Sequence, residues 1–207
     1  PQQRIVEADL PRPEQKLAIM TYAIERLGEA GYVHIGMDHF AKPDDELAVA
    51  QRQGRLIRDF QGYSSGGDCD LIGLGVSSIG KVGPAYCQNV RGLDDYYAKL
   101  DSGALPVLRG MELSPDDLVR RAVIQAIACH FSLSKESIAI AHLIDFDQYF
   151  ARELADLERL EKDGLVELDH DWIHVTPRGR LLVRSVCMVF DRYLREKEQR
   201  AVYSRVM

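Results

Sequence analysis

Two short apolar runs constrain the first half of the chain most, namely Tyr32–Ile35 and Leu71–Val76, each bounded by Gly or Asp. Apolar runs of this length without polar alternation are typical of strands that are covered on both faces of a sheet. An amphipathic helix is predicted over residues 13–30, and Gly31 separates it from the first run. Helix, short turn and buried strand is the repeating unit of a βα barrel or an open parallel sheet. The first part is therefore predicted to be α/β, although one unit does not establish a barrel.

The segment between the two runs is rich in residues that favour turns and ligand-binding loops. A short helix is predicted over residues 44–53, with acidic residues at its N-terminal end. Residues 60–68 are rich in Gly and Ser and predict an irregular loop. Gly73 and Gly75 indicate a bulge or a close backbone approach within the second run. They do not form a dinucleotide-binding fingerprint, because the third glycine falls at Gly80 instead of Ser78.

The second half reads as mostly helical. Ser114, Pro115 and the two acids after them form a helix-start signature, and that helix is predicted to run to about His130. Further helices are predicted over 93–102, 134–142, 145–162 and from Pro177 onward, with a hairpin over 165–176. The composition changes near Ser114, so we expect two domains, residues 1–110 and residues 111–207. Helices with a small hairpin predict a winged-helix-like C-terminal domain.

Charge and cysteine content narrow the class of protein. The formal net charge of −6 argues against a general nucleic-acid binder or a binder of anionic membranes. No run approaches the length of a membrane-spanning helix, and no signal peptide is recognised. None of the four cysteines forms a C-x-x-C pair, so a reduced, cytoplasmic setting is the simplest interpretation. Because the first residue is Pro1, we expect a piece of a longer protein.

Isolated polar residues give weaker hypotheses. His39 follows Asp38 after the first run, but a lone histidine without a second ligand motif is more often structural, and we assign no metal to it. The winged-helix-like region raises the alternative of a nucleic-acid-binding module. Its longest helix, residues 145–162, carries more acidic than basic residues, which argues against that alternative.

Several long strings carry a resemblance to a known family. HIGMDHFAKPDDELAVAQ, FQGYSSGGDCDLIGLGVSSIG, TPRGRLLVRSVCMVFDRYL and YSRVM closely resemble oxygen-independent coproporphyrinogen III oxidase (coproporphyrinogen dehydrogenase), a radical S-adenosylmethionine family of haem biosynthesis. The resemblance covers essentially the whole chain but only the C-terminal part of that family. It implies the closing piece of a partial (β/α) radical-SAM barrel, followed by the helical, winged-helix-like domain.

The resemblance also implies a reaction and its cofactors. The family's full enzyme holds a [4Fe–4S] cluster and two S-adenosylmethionine molecules, and a 5′-deoxyadenosyl radical abstracts hydrogen from propionate side chains. Oxidative decarboxylation of two propionates of coproporphyrinogen III gives the vinyl groups of protoporphyrinogen IX. The family's cluster-binding cysteine motif lies in its N-terminal part and is absent from this chain. We therefore expect the chain to need the missing N-terminal barrel half as its partner and to be inactive alone.

Three site residues follow from the family match. Ile79 matches an isoleucine that contacts S-adenosylmethionine, and Phe60 and Gln61 match a Phe-Gln pair beside the cofactors. The substrate carries four carboxylates, so three basic residues in or near predicted loops are candidate partners: Lys42, Arg91 and Arg109. A related radical SAM haem chaperone without oxidase activity remains an alternative.

Overall fold

The computed structural model describes residue 6 and residues 9–197. The YSRVM string, residues 203–207, lies outside the described residues. The helices are α1 Pro13–Glu29, α2 Glu46–Arg52, α3 Leu93–Asp101, α4 Pro115–His130, α5 Lys135–His142, α6 Phe146–Tyr149, α7 Ala151–Lys162, α8 Pro177–Arg180, α9 Val183–Val189 and α10 Arg192–Lys197. The strands are β1 Val33–Gly36, β2 His39–Ala41, β3 Ile57–Asp59, β4 Gly62–Ser64, β5 Ile79–Val82, β6 Ala85–Asn89, β7 Val107–Glu112, β8 Ser132–Ser134, β9 Val166–Leu168 and β10 Trp172–Val175.

The strands form four small sheets, and every strand pair within the described ranges is antiparallel. β1 pairs with β2, β3 pairs with β4, β5–β6–β7 form one three-stranded sheet, and β8–β10–β9 form another. Each short connection between neighbouring strands favours this hairpin arrangement, since parallel pairing needs a longer crossover. The α/β class is confirmed. Four of these strand pairs are hairpins, whereas β6–β7 and β8–β10 are antiparallel pairs whose strands are joined through helical segments.

Local signals set the ends of the predicted helices well. α1 begins at Pro13 and ends at Glu29, where residues 13–30 were predicted. α4 begins at Pro115, after a capping box in which Ser114 and Asp117 exchange hydrogen bonds: the Asp117 N–H donates to Ser114 Oγ, and the Ser114 N–H donates to the Asp117 carboxylate. Both cap groups satisfy backbone donors that the first helical turn leaves unpaired.

The prediction of a buried strand at Leu71–Val76 is wrong. Only an isolated bridge between Leu71 and Lys81 forms there, and the side chains of Ile72 and Leu74 are 70% and 82% exposed. Side chains bind this backbone in place of a neighbouring strand: Asn89 Nδ2 donates to the carbonyls of Gly73 and Gly75 at 3.0 and 2.9 Å. The glycines permit this path, because a Cβ on Gly73 would lie 2.8 Å from a backbone oxygen of the next strand.

Other predicted elements differ in detail. Tyr32–Ile35 corresponds to β1, but its partner is the antiparallel β2. Residues 60–68, predicted as an irregular loop, include the β3–β4 turn and strand β4, because the Gly62 φ of +125° lets the chain reverse sharply. The helix predicted over 145–162 breaks into α6 and α7 at Phe150, which is fully buried.

Two apolar clusters make up the core, and α4 contributes to both. The larger one joins α4, α6, α7 and α9 to the β8–β10–β9 sheet, with the hairpin β9–β10 as its wing. The smaller one surrounds Ile35, Leu56 and Tyr63 and includes Cys129 of α4. Gln51 Nε2 ties β1 to α4 within this smaller cluster by donating to the backbone carbonyls of Ile35 and Cys129. The division into residues 1–110 and 111–207 stays a prediction.

Candidate functional site

A cleft with a cavity volume of about 460 Å³ opens between α4 and the first-half hairpins. The β3–β4 turn and the β5–β6–β7 sheet form one side, and α4 with the segment between α9 and α10 forms the other. Its lining combines aliphatic, aromatic and charged side chains: Ile57, Arg58, Asp59, Phe60, Asp68, Cys69, Leu71, Lys81, Tyr86, Leu113, Asp117, Arg120, Arg121, Ile124, Gln125, Phe190, Asp191, Arg192 and Tyr193. A concave site with an apolar lining and a few polar groups is typical of ligand binding.

One face of the β5–β6–β7 sheet points towards this cleft. Lys81 and Tyr86 are directly paired in the β5–β6 ladder and both line the cavity. Residues two apart on a strand share a face, so Ile79 lies on the same face as Lys81. Ile79 is itself paired with Gln88, which pairs in turn with Arg109 of β7. The sheet thus places two residues singled out from the sequence, Ile79 and Arg109, on one surface.

The β3–β4 turn carries Phe60 over this sheet. The Phe60 ring is 55% exposed and lies edge-on to the Tyr86 ring, with centroids 5.1 Å apart at an interplanar angle of 86°. The next residue, Gln61, is held through its backbone, whose N–H donates to Asp59 Oδ1 at 2.8 Å. Phe60 is therefore part of the cleft lining, whereas Gln61 is not among the lining residues.

An acidic residue bridges two cations at the rim of the cleft. Asp68 Oδ1 accepts from Arg121 Nη2 at 2.6 Å and also from the ammonium of Lys81. Burial alone would raise the pKa of Asp68, but the hydrogen bonds and charges of Lys81 and Arg121 outweigh burial and lower the pKa. Asp68 therefore stays ionised and joins α4 to β5 across the cleft.

The opposite wall is closed by a denser ionic network. Arg192 contacts Asp116 at 2.8 Å and Asp117 at 3.2 Å, and Arg120 contacts Asp116 at 3.0 Å and Glu153 at 2.8 Å. These carboxylates and guanidiniums neutralise one another, as charges removed from water require, although the buried Arg192 Nε makes an ion-pair contact and no hydrogen bond. The network fixes the start of α10 against α4 and α7.

Comparison with known proteins agrees with the resemblance in the sequence. Residues 113–182 match the model of the HemN C-terminal domain family. Oxygen-independent coproporphyrinogen III oxidases from Pseudomonas aeruginosa and Escherichia coli are 53% and 49% identical to the chain over 100% of its length and 45% of theirs. The solved coproporphyrinogen III oxidase (HemN) from Escherichia coli, described as a radical SAM enzyme, superposes with a TM-score of 0.88 at 49% identity, over 93% of this chain and 44% of that one.

The chain corresponds to the C-terminal part of the oxygen-independent coproporphyrinogen III oxidase family. It spans about half the length of the curated relatives it matches. Within this family match, Phe60 and Ile79 lie on the cleft side of the sheet, and Gln61 lies in the adjoining turn. Their roles stay predictions.

The basic residues proposed from charge alone lie in different places. Lys42 is engaged elsewhere, because its ammonium donates to the Ala30 carbonyl at 2.9 Å and lies 3.9 Å from the Tyr32 ring centroid. Arg109 donates to Gln88 Oε1 at 2.9 Å on the cleft-side face of the sheet. Arg91 is exposed between β6 and α3.

His39 has a structural environment. Its Nδ1 lies 2.8 Å from Asp38 Oδ1, and its ring lies edge-on to the Tyr63 ring at 5.1 Å. Across the part of the chain that the structure describes, no three His, Cys, Asp or Glu side chains are grouped so that they could hold a metal ion. No helix in that part is both long and apolar enough to cross a bilayer.

Sequence reasoning named none of the charged residues that line the cleft as site residues, including Arg58, Asp68, Lys81 and Arg121. A usable signal was present at Arg121, since the Arg120–Arg121 pair interrupts the apolar pattern of α4. Arg58 offered no such signal, as it lies two residues before Phe60, outside the strings that carry the family resemblance. The ion pairs between these residues span more than ten positions and could not be read from local patterns.

Proposed function

We propose that the chain forms the C-terminal half of an oxygen-independent coproporphyrinogen III oxidase, which converts two propionates of coproporphyrinogen III into the vinyl groups of protoporphyrinogen IX. The observation that carries this proposal is the match over all 207 residues to curated oxidases at up to 53% identity. Agreement along the whole chain includes the cleft, so it supports a shared reaction more strongly than a shared fold would. The alternative of a haem chaperone is an outcome of the test below.

We propose that Phe60, Gln61 and Ile79 contact S-adenosylmethionine beside this cleft. Their surroundings fit that ligand, since an exposed aromatic ring and a half-buried aliphatic side chain can cover its adenosine while the cleft excludes water. When bound and reductively cleaved, this cofactor supplies the hydrogen abstraction that starts decarboxylation. The protein's part is to orient the cofactor against the substrate and to keep water away.

The iron–sulfur cluster is a different case. The four cysteines of the chain are far apart in sequence, and two of them, Cys129 and Cys187, are buried with their pKa raised to about 12, mainly by burial. Cluster ligation needs accessible thiolates in a close group. These cysteines do not fit, so we assign the cluster to the part of the relatives that this chain does not match.

Exposed apolar side chains suggest where that other part docks. Ile72, Leu74 and Leu105 are 70%, 82% and 81% exposed, and they flank the β5–β6–β7 sheet. Apolar groups exposed to this degree near one sheet are expected to be covered in an assembled protein. We propose that they face the N-terminal barrel half of the intact, cytoplasmic enzyme.

An anaerobic assay of the intact protein that carries this chain tests the proposed function. With S-adenosylmethionine and a reductant, coproporphyrinogen III should lose two molecules of CO₂ and gain two vinyl groups, detected by mass spectrometry. Ile79→Asp should weaken S-adenosylmethionine binding, because a carboxylate would replace an aliphatic contact. Haem binding without vinyl formation would indicate the chaperone instead, and cofactor cleavage by the 207-residue chain alone would contradict the assignment of the cluster to a missing part.

A further inference from the structure

The cations of the cleft differ in whether a carboxylate neutralises them. Arg120 and Arg192 belong to the ionic network with Asp116, Asp117 and Glu153. Lys81 and Arg121 share the carboxylate of Asp68. Arg58 is the exception, since no ion pair among the described residues includes it.

Arg58 is held firmly although no carboxylate of the described residues forms an ion pair with it. Its backbone N–H donates to Gln125 Oε1 at 2.9 Å, and Gln125 Nε2 donates back to the Arg58 carbonyl. Its guanidinium carbon lies 5.4 Å from the centroid of the Tyr63 ring, which restricts the side chain further. The Nε atom is buried and has no hydrogen-bond partner within the described chain; Arg192 Nε shares this property, but Arg192 has carboxylate partners and Arg58 has none. A fixed arginine with a buried, unpaired donor is unfavourable unless a ligand completes it.

The charge balance around Arg58 favours an anion. The residues that line the cleft carry one more positive than negative charge, since five cations face four carboxylates: Arg58, Lys81, Arg120, Arg121 and Arg192 against Asp59, Asp68, Asp117 and Asp191. One of those carboxylates, Asp59, is occupied by the turn, where it accepts from the Gln61 N–H. Asp38 is 86% exposed and hydrogen-bonded to His39. The uncompensated charge is therefore that of Arg58.

The walls beside Arg58 are apolar. Ile57, Leu71 and Ile124 line the same cavity, and the Phe60–Tyr86 pair stands at its mouth. Such a site suits a ligand that carries its carboxylate on a short alkyl chain. The alkyl chain can displace water from the apolar walls while the guanidinium forms a bidentate hydrogen bond with the carboxylate. A free inorganic anion would leave these walls without a partner.

We propose that Arg58 binds a propionate carboxylate of the tetrapyrrole substrate and thereby positions the ring beside Phe60 and Tyr86. This inference rests on the proposed function, because it takes the substrate class from it. Arg58 is a positioning residue here, since it holds a carboxylate and takes no part in bond making. We prefer Arg58 to Lys42 as the partner of a substrate carboxylate, because Lys42 is engaged elsewhere. We also prefer it to Arg121 and Lys81, because both already pair with the carboxylate of Asp68.

The test uses the intact protein that carries this chain and a probe that does not turn over. Coproporphyrin III, the oxidised porphyrin with four free propionates, is titrated against wild type, Arg58→Gln and Arg58→Lys, with its tetramethyl ester as the uncharged probe. Arg152→Gln is the matched control, because Arg152 is an exposed arginine of α7 outside the cleft. Unfolding midpoints of all variants are measured alongside.

Loss of a hydrogen bond to a charged group predicts about tenfold to a hundredfold weaker binding of coproporphyrin III by Arg58→Gln. Arg58→Lys should recover part of the affinity, Arg152→Gln should bind like wild type, and the ester should bind all variants equally. Unchanged affinity of Arg58→Gln for coproporphyrin III would overturn the proposal, as would an equal loss for acid and ester.

Turnover separates this proposal from the proposed function. In an active enzyme, Arg58→Gln should raise KM for coproporphyrinogen III more than it lowers kcat. Vinyl formation with an unchanged KM in Arg58→Gln would refute the role of Arg58 and leave the oxidase function standing. Binding of coproporphyrin III that depends on Arg58 in a protein that forms no vinyl groups would refute the oxidase function and support the carboxylate site.

Discussion

Gln125 holds the arginine of the cleft in place, and replacing it tests how the site is assembled. Arg58 lies opposite Tyr63 in the β3–β4 hairpin, and its backbone N–H and C=O both bond to Gln125. The Gln125 side chain thus provides hydrogen-bond partners for the backbone groups on the outer edge of β3, which a neighbouring strand would otherwise have to provide. Gln125→Ala removes both partners at once.

The cost of Gln125→Ala can be worked from these contacts. Two hydrogen bonds to Arg58 with a net value of about 0.5–1.5 kcal/mol each are lost, together with the weaker one that Gln125 Oε1 accepts from Cys129 Sγ, and a half-buried backbone group left unpaired adds about 1–3 kcal/mol. We expect the free energy of unfolding to fall by about 3 kcal/mol. For a chain of this size that corresponds to a drop in Tm of about 6–12 °C.

Hydrogen exchange reads this effect at the Arg58 amide itself. In Gln125→Ala the amide should exchange about 30-fold to 160-fold faster, since its opening free energy falls by about 2–3 kcal/mol. Gln53→Ala is the matched control, because Gln53 lies at the C-terminal end of α2 and, among the described residues, its side chain bonds only to that of the exposed Arg55. Unchanged exchange at Arg58, or an equal loss of stability in both variants, would refute the reasoning.

Three further predictions concern packing, pH and thiol chemistry. Gly179→Ala should lower the free energy of unfolding in urea by about 1–3 kcal/mol or more, since its Cβ would lie 1.9 Å from a backbone oxygen. The control Gly28→Ala, with open space around its Cβ, should not lower it. Burial would raise the pKa of Asp117, but hydrogen bonds from the α4 cap and from α10 outweigh burial and lower the pKa. The stability that this carboxylate gives is therefore present at neutral pH and is lost as the pH falls through its folded-state pKa. The difference in unfolding free energy between wild type and Asp117→Asn should accordingly shrink in acid, and a constant difference from neutral pH to pH 3 would contradict this. A maleimide should label the exposed Cys69 in the native protein but label the buried Cys129 only after unfolding, as mass spectrometry can show.

Helix ends were predictable because their signals lie within a few residues. Pro13 and Ser114–Pro115 start α1 and α4 at the predicted positions, and the cap of α4 uses an acid three residues further on. Both helix starts depend only on residues at or next to the first turn, so their signals can be found by searching any sequence. The path of residues 71–76 was not predictable in this way, because Asn89 and Tyr96, far along the chain, bind its backbone.

The candidate site shows the same division between local and distant information. Phe60 and Ile79 could be named from the sequence because strings of consecutive residues carry the family resemblance. Arg58 could not, since nothing in its neighbourhood reveals that every other cation of the cleft has a carboxylate partner. That distinction depends on where Asp68, Asp116 and Asp117 fall after folding. An arginine becomes a ligand-binding candidate through the absence of a partner, and only the folded arrangement of the described residues shows which arginine that is.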